Sequence, residues 1–230
     1  MFTKSARFYD AIYAFKDYAA EAAKIDALIQ GRKPDARTLL DVACGTGLHL
    51  QHLRDRYEVE GLDLDRELLA TAAERLPDVP FHQGDMLDFD LGRRFDVVLC
   101  LFSSIGYAGT TERLNRAVKS MAGHLQPGGL LVVEPWFAPD AWEDGFVDAV
   151  FVDEPGLKLA RMSISGREGR LSRVDLHYLV ATADGIERFE ESHELGLYTH
   201  EEYLTAFRSA GFEVEHDAEG LMGRGLYVAR

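Results

Sequence analysis

A chain of 230 residues with a formal net charge of −14 is long enough for one large domain or one domain with an insertion, and it lacks the basic footprint of a nucleic-acid-binding protein. Its 47% hydrophobic and 28% charged residues make an ordinary globular composition, and no apolar run reaches the length of a membrane span. Two cysteines, Cys44 and Cys100, are too few for a disulfide scaffold or a zinc site and suit a reducing compartment, so the expected location is cytoplasmic. The opening Met1-Phe2-Thr3-Lys4-Ser5 does not read as a signal peptide.

Residues 1–30 read as helices. Phe8, Tyr9, Ile12, Tyr13 and Phe15 fall near helical spacing, Tyr18 precedes the run 19–29, and Gly31-Arg32-Lys33-Pro34 breaks it. Strands are expected at 38–42, 58–64, 81–83, 95–101 and 130–134, and helices at 48–56, 67–75 and 111–125, with Gln126-Pro127-Gly128-Gly129 as a turn. After Glu134 the pattern changes. An aromatic-rich irregular stretch leads into four extended segments at 149–152, 157–165, 170–182 and 185–198, separated by turn signals at 154–156, 166–169 and 183–185. A helix at 199–210, stopped by Gly211, and two closing strands at 212–216 and 225–229 end the chain. The expected fold is α/β: a Rossmann-like, mostly parallel sheet whose last strand is antiparallel, with an inserted antiparallel β-meander. Residues 1–137 and 199–230 would form the cofactor-binding domain with an N-terminal helical lid, and 138–198 the inserted layer.

The chain is organised around Leu39-Leu40-Asp41-Val42-Ala43-Cys44-Gly45-Thr46-Gly47-Leu48-His49-Leu50. An apolar run meets an acid, a glycine-rich turn and a helix start, which is how an α/β protein offers backbone N–H groups to a ligand. A dinucleotide fingerprint would need a third glycine where Leu50 stands. Asp41 suits instead a ligand that carries an ammonium group. The pattern Asp-x-Ala-Cys-Gly-Thr-Gly resembles the first motif of class I S-adenosylmethionine (SAM) methyltransferases. Asp63, closing the second strand about twenty residues later, stands where a carboxylate accepts ribose hydroxyls; the alternative is an acid at a helix start. Asp85 can accept the exocyclic amine of adenine beside Met86, or simply close an Asx turn. The loop Phe102-Ser103-Ser104-Ile105-Gly106-Tyr107 follows the fourth strand, so it lies between cofactor and substrate; helix capping is the other use for its serines.

Together with Lys16-Asp17-Tyr18, Val133-Glu134-Pro135-Trp136, Arg167-Glu168-Gly169 and Gly223-Arg224-Gly225-Leu226, these stretches resemble the N,N-dimethyltransferases of deoxyamino-sugar biosynthesis, which act on dTDP-linked 3-amino sugars in pathways to the desosamine- and mycaminose-type sugars of antibiotics. The resemblance implies SAM as cofactor and a homodimer. It implies that Tyr9 and Tyr18 close over the methionine end of SAM, and that the meander roofs the active site. Cofactor contacts are then expected at Tyr9, Tyr18, Asp41, Ala43, Gly45, Gly47, Asp63, Leu64, Asp85, Met86, Leu101, Phe102 and Ser103, and substrate contacts at Ser104, Tyr107, Trp136, Phe137, Arg167 and Arg224. The chain departs from the family in Ala43, where a glycine is common, in Asp63, which can be Glu, in a short Tyr13–Tyr18 loop, in Phe137 as the second aromatic after the proline, and in Phe2, where a tyrosine is expected.

Methyl transfer to an amine is an in-line displacement that needs positioning more than a strong base. Tyr107, His177 and His193 are the candidate bases, and no cluster of ligands has metal spacing. Arg161, Arg167, Arg170, Arg173 and Arg224 are the candidate cations for a pyrophosphate. Two other readings stay open: a SAM-dependent N- or O-methyltransferase of another small metabolite, and a non-catalytic SAM-binding protein.

Overall fold

The computed structural model describes residues 4–230; Phe2 lies outside them. In chain order they form α1 (Tyr9–Ile12), α2 (Tyr18–Arg32), β1 (Thr38–Val42), α3 (Leu48–Leu53), β2 (Glu58–Asp63), α4 (Arg66–Arg75), β3 (Phe81–Gln83), β4 (Phe95–Cys100), α5 (Thr111–Gly123), β5 (Leu125–Val133), β6 (Val147–Glu154), β7 (Leu157–Glu168), β8 (Leu171–Thr182), β9 (Gly185–Gly196), α6 (His200–Ser209), β10 (Val214–Asp217) and β11 (Leu226–Ala229), with 3-10 turns at Ala6–Phe8 and Ser104–Ala108.

Seven strands make one sheet in the order β10-β11-β5-β4-β1-β2-β3. β1 to β5 run parallel; β11 is antiparallel to β5, and β10 to β11. β4 and the end of β5 are almost wholly buried, because helices cover both faces. On one face Leu114, Val118 and Met121 of α5 and Tyr203 and Phe207 of α6 pack on the sheet; on the other, Ile25 and Ile29 of α2, Leu50 and Leu53 of α3 and Leu69 of α4 do so. The chain lays β2 and β3 on one side of β1 and β4 on the other. The crevice at this switch point, above the carboxyl ends of β1 and β4, is where open α/β sheets hold ligands.

The second sheet, β6-β7-β8-β9, is an antiparallel meander between β5 and α6. One of its faces is apolar and buried: Val152, Leu159, Leu176, Tyr178, Val180 and Phe189 pack with Phe8 and Ile12 of the N-terminal segment. The N-terminal segment thus joins the meander to the seven-stranded sheet, because Asp10 accepts hydrogen bonds from Thr46 and Arg75.

Local chemistry explains most element limits. Asp17, Asp65 and Thr110 cap α2, α4 and α5, and Thr199 and Glu202 form a capping box on α6. Four expectations change. The helix expected at 48–56 ends at Leu53, and the one at 111–125 ends at Gly123. The Gln126–Gly129 turn is instead the irregular start of β5, whose pairing with β4 shifts register between Phe95 and Val97. β7 runs through Gly166 to Glu168, so the turn into β8 falls at Gly169, with φ +59°.

Candidate active site

A cavity of about 380 Å³ opens beside the turn after β1. Gly45 lines it with φ +57°, and a Cβ there would meet nothing within 4 Å, so the backbone faces open space. Gly47 does a different job. It is left-handed at φ +75°, and a Cβ there would lie 3.4 Å from Ala72 and from Leu76, so it packs α3 against α4 away from the cavity. Ala43 lines the cavity with φ +60°, a conformation glycine adopts without strain.

Asp63 accepts the backbone N–H of Gly45 at Oδ2 and of Asp65 at Oδ1, both at 2.8 Å. It therefore shapes the turn as well as lining the cavity. Burial raises its pKa against those two N–H donors. Asp41 is buried, and its Oδ1 has no partner among the described residues. Burial, then the Asp63 charge, pushes its pKa up to about 8. Asp85 does close an Asx turn, accepting Leu87 N–H at 2.9 Å, and it also lines the cavity with Leu64 and Met86. Tyr18, with Leu101 and Phe102, lines the narrow end next to Asp41; its buried hydroxyl has no partner among the described residues, and burial raises its pKa.

A second lobe of about 530 Å³ lies under the meander. Tyr9, Ser104 and Tyr107 line both lobes and mark the seam between them. Trp136, Phe137 and Trp142 form one wall, with ring centroids 4.8–5.8 Å apart. Arg224 and Arg161 both line the lobe. Arg224 donates to Glu134 Oε1 at 3.1 Å, and Glu134 Oε2 accepts Phe102 N–H at 2.7 Å. Glu134, fully buried, so ties the arginine to the end of β4 and neutralises part of its charge. Arg161 donates to the Tyr13 hydroxyl at 3.3 Å.

Besides Gly47, three expected residues are not brought to the cavity. Ser103, left-handed at φ +60°, is buried and donates to Pro135 O at 2.6 Å, which fixes the loop after β4. Arg167 braces the aromatic wall from behind, donating to Pro139 O at 2.6 Å and to Trp142 O at 3.3 Å. His177 lies on the exposed face of the meander, 3.1 Å from Glu190, because strand alternation turns Leu176 and Tyr178 inward and His177 out. Arg170 and Arg173 are likewise engaged elsewhere, with Leu197 O and Glu202 and with Asp175. Tyr13 joins the site instead, and of the candidate bases Tyr107 and His193 line it. Arg161 faces in with Leu159 while Met162 and Ile164 face out, so apolar residues stand on both parities of β7 and gave no signal for it; Tyr13, read as a helix residue, gave none either.

Among the described residues no group of His, Cys, Asp and Glu could hold a metal ion. The cavity fits SAM on three counts: an open backbone at Gly45, a buried unpartnered carboxylate oxygen at Asp41 for an ammonium, and a second carboxylate at Asp63 for a diol.

Residues 39–129 match the model of a methyltransferase domain. The chain is 48% identical, over 96% of its length and 94% of the relative's, to the dTDP-3-amino-3,4,6-trideoxy-alpha-D-glucopyranose N,N-dimethyltransferase of Streptomyces venezuelae. It is 44% identical, over 97% and 91%, to the dTDP-4-amino-2,3,4,6-tetradeoxy-D-glucose N,N-dimethyltransferase of Saccharopolyspora spinosa. The crystal structure of Streptomyces venezuelae DesVI superposes with TM-score 0.93 at 46% identity, covering 100% of this chain and 99% of that one. SAM-bound CalS10, an amino pentose methyltransferase from Micromonospora echinaspora, superposes with TM-score 0.87 at 43% identity, covering 100% and 97%. The chain is a class I SAM-dependent methyltransferase and belongs to the family of the dTDP-amino-deoxysugar N,N-dimethyltransferases.

Proposed function

We propose that this chain dimethylates the amino group of a dTDP-linked deoxyamino sugar. The observation that carries this reading is the two-lobed cavity: a lobe lined by Gly45, Asp63 and Asp85 meets, at Tyr9, Ser104 and Tyr107, an aromatic lobe holding two arginines in a protein of net charge −14. Bound SAM supplies an electrophilic methyl on a sulfonium, open to in-line displacement. The chain's residues supply position. Asp41 takes the methionine ammonium, Asp63 the ribose hydroxyls, Asp85 and Met86 the adenine edge, and Tyr9 and Tyr18 close the methionine end. Backbone and side chains at Ala43, Gly45, Leu64, Leu101 and Phe102 line the cofactor. Arg224 and Arg161 meet the pyrophosphate, and Trp136 and Phe137 offer flat faces to the base or sugar.

Residues 1–137 and 199–230 act as the SAM-binding unit and 138–198 as the inserted layer. The reading includes a homodimer formed through the exposed apolar face of the meander, a cytoplasmic location supported by the free thiols Cys44 and Cys100, and small molecules rather than nucleic acid or membrane as partners. Incubation with SAM and a panel of dTDP-3-amino and dTDP-4-amino sugars tests it. Mass spectrometry should show products heavier by one and two methyl groups; no gain of mass on any member would refute it.

A further inference from the structure

At the seam between the lobes, the Tyr107 hydroxyl lies 2.5 Å from His193 Nδ1. Tyr107 is on the 3-10 turn after β4 and His193 on β9, so the pair joins the two sheets. Behind the imidazole, Glu191 Oε2 stands 3.8 Å from His193 Nε2, and Glu191 is itself buried and held by the N–H of Ser5 at 3.1 Å and its hydroxyl at 2.5 Å. Burial raises the Tyr107 pKa, so the phenol keeps its proton and donates it. Burial lowers the His193 pKa, so the ring is neutral near pH 7. The carboxylate beside Nε2 favours the tautomer with its proton there, which leaves Nδ1 as the acceptor. Among the described residues, the charged and titratable groups around the pair include Glu191 on β9, Arg161 on β7, Tyr178 on β8, Tyr13 ahead of α2, and, on the Tyr107 side, Tyr9 on α1 and Asp63 at the end of β2.

We infer that Tyr107 and His193 form a relay that removes the proton from the substrate nitrogen after each methyl transfer, with His193 as the positioning residue behind Tyr107. The inference rests on the amino-sugar reading above. The nitrogen lone pair forms the N–C bond as the C–S bond breaks and its electron pair stays on sulfur. The resulting ammonium passes one N–H proton to Tyr107 Oη while Tyr107 passes its own to His193 Nδ1. The imidazolium so formed lies beside the Glu191 carboxylate and later releases its proton to water. A second methylation needs a neutral monomethyl amine, so the relay serves that step above all. With it, the intermediate is made nucleophilic without leaving the site. Without it, the intermediate waits for solvent.

His193→Gln tests this, because its amide oxygen still accepts the Tyr107 hydroxyl but cannot take a proton. Tyr107→Phe is the second variant. Each is assayed with SAM and a dTDP-amino sugar that the unaltered enzyme dimethylates, between pH 6.5 and 9, and SAM and sugar affinities are measured by calorimetry. The relay predicts unchanged affinities in His193→Gln, a rise of about tenfold in the monomethyl-to-dimethyl product ratio in both variants, and a shrinking of that excess as pH rises and solvent takes over the proton. An unaltered product ratio across the pH range in both variants would overturn it while leaving the substrate reading intact. An unaltered enzyme that methylates no amino sugar would overturn the substrate reading, and the relay with it.

Discussion

Asp41 and Asp63 lie near the carboxyl ends of neighbouring parallel strands, beside the same glycine turn, yet Asp63 accepts two backbone N–H groups while Asp41 Oδ1 accepts none among the described residues. Burial and the Asp63 charge lift the Asp41 pKa to about 8, against about 3.9 in an unfolded chain. A raised folded-state pKa means that folding takes up a proton. This group's stabilising contribution to the ligand-free protein is full below about pH 4 and is lost as pH rises through about 8. An ammonium placed against the carboxylate reverses the shift. SAM binding near pH 7 is therefore expected to release up to one proton, read by calorimetry in buffers of different ionisation enthalpy. Asp41→Asn should abolish that release and weaken SAM binding by about 10–100-fold, the loss of one charge-assisted hydrogen bond. Binding heats that do not depend on the buffer would contradict the assignment.

Asp63 and Asp85 both line the cofactor lobe, but they differ in what the fold asks of them. Asp63 holds Gly45 N–H and Asp65 N–H, so Asp63→Ala removes acceptors from two backbone donors as well as a ligand contact. Asp85 holds only the N–H of Leu87 in a surface turn. Both substitutions should weaken SAM binding. Asp63→Ala should also lower stability by about 1–3 kcal/mol, with Asp85→Ala closer to neutral. Thermal melts without SAM, beside calorimetric titrations with it, separate the two; equal melting points would show that Asp63 does not brace the turn.

Strand and helix alternation and the glycine turn were legible because they are local: apolar runs, capping acids and turn residues sit next to each other in sequence. Asp41, Asp63 and Asp85 were legible for the same reason, since each lies at or just beside the carboxyl end of a strand. What the chain could not display was which way a side chain leaves a strand paired only with distant partners. His177 and Arg161 lie in equally polar, alternating segments, and only the register of β7 with β8 shows that Arg161 faces the cavity and His177 does not. Ser103 misled because a serine in a ligand-side loop looks like a contact, whereas its left-handed backbone aims the hydroxyl at Pro135 O. Gly47 misled in the opposite sense: its positive φ is required, but for packing on α4 rather than for ligand approach.

Arg224 lines the substrate lobe while paired to a fully buried Glu134, so its removal has two consequences. Arg224→Ala strands the carboxylate and should destabilise the fold by about 3–5 kcal/mol. Arg224→Lys keeps the charge against Glu134 but loses the planar fork. Its expected signature is a KM for the nucleotide sugar raised by about tenfold with little change in SAM affinity. Equal changes in both would remove Arg224 from the pyrophosphate.

Phe151 and Met162 stand on the outer face of the meander, 68% and 47% exposed, and Val147, Ile164, Leu179 and Ile186 extend the same apolar surface across its strands. Such a patch on a free surface is unusual for a monomer and marks an association site. A twofold dimer would bury it against its own copy. The inner face of the same strands carries Arg161 and Leu159, so a charge placed on the outer face leaves the cavity lining untouched. Phe151→Glu and Met162→Glu should convert a dimer to a monomer in analytical ultracentrifugation while retaining SAM affinity. An unaltered protein that sediments as a monomer at micromolar concentration would assign the patch to a different partner.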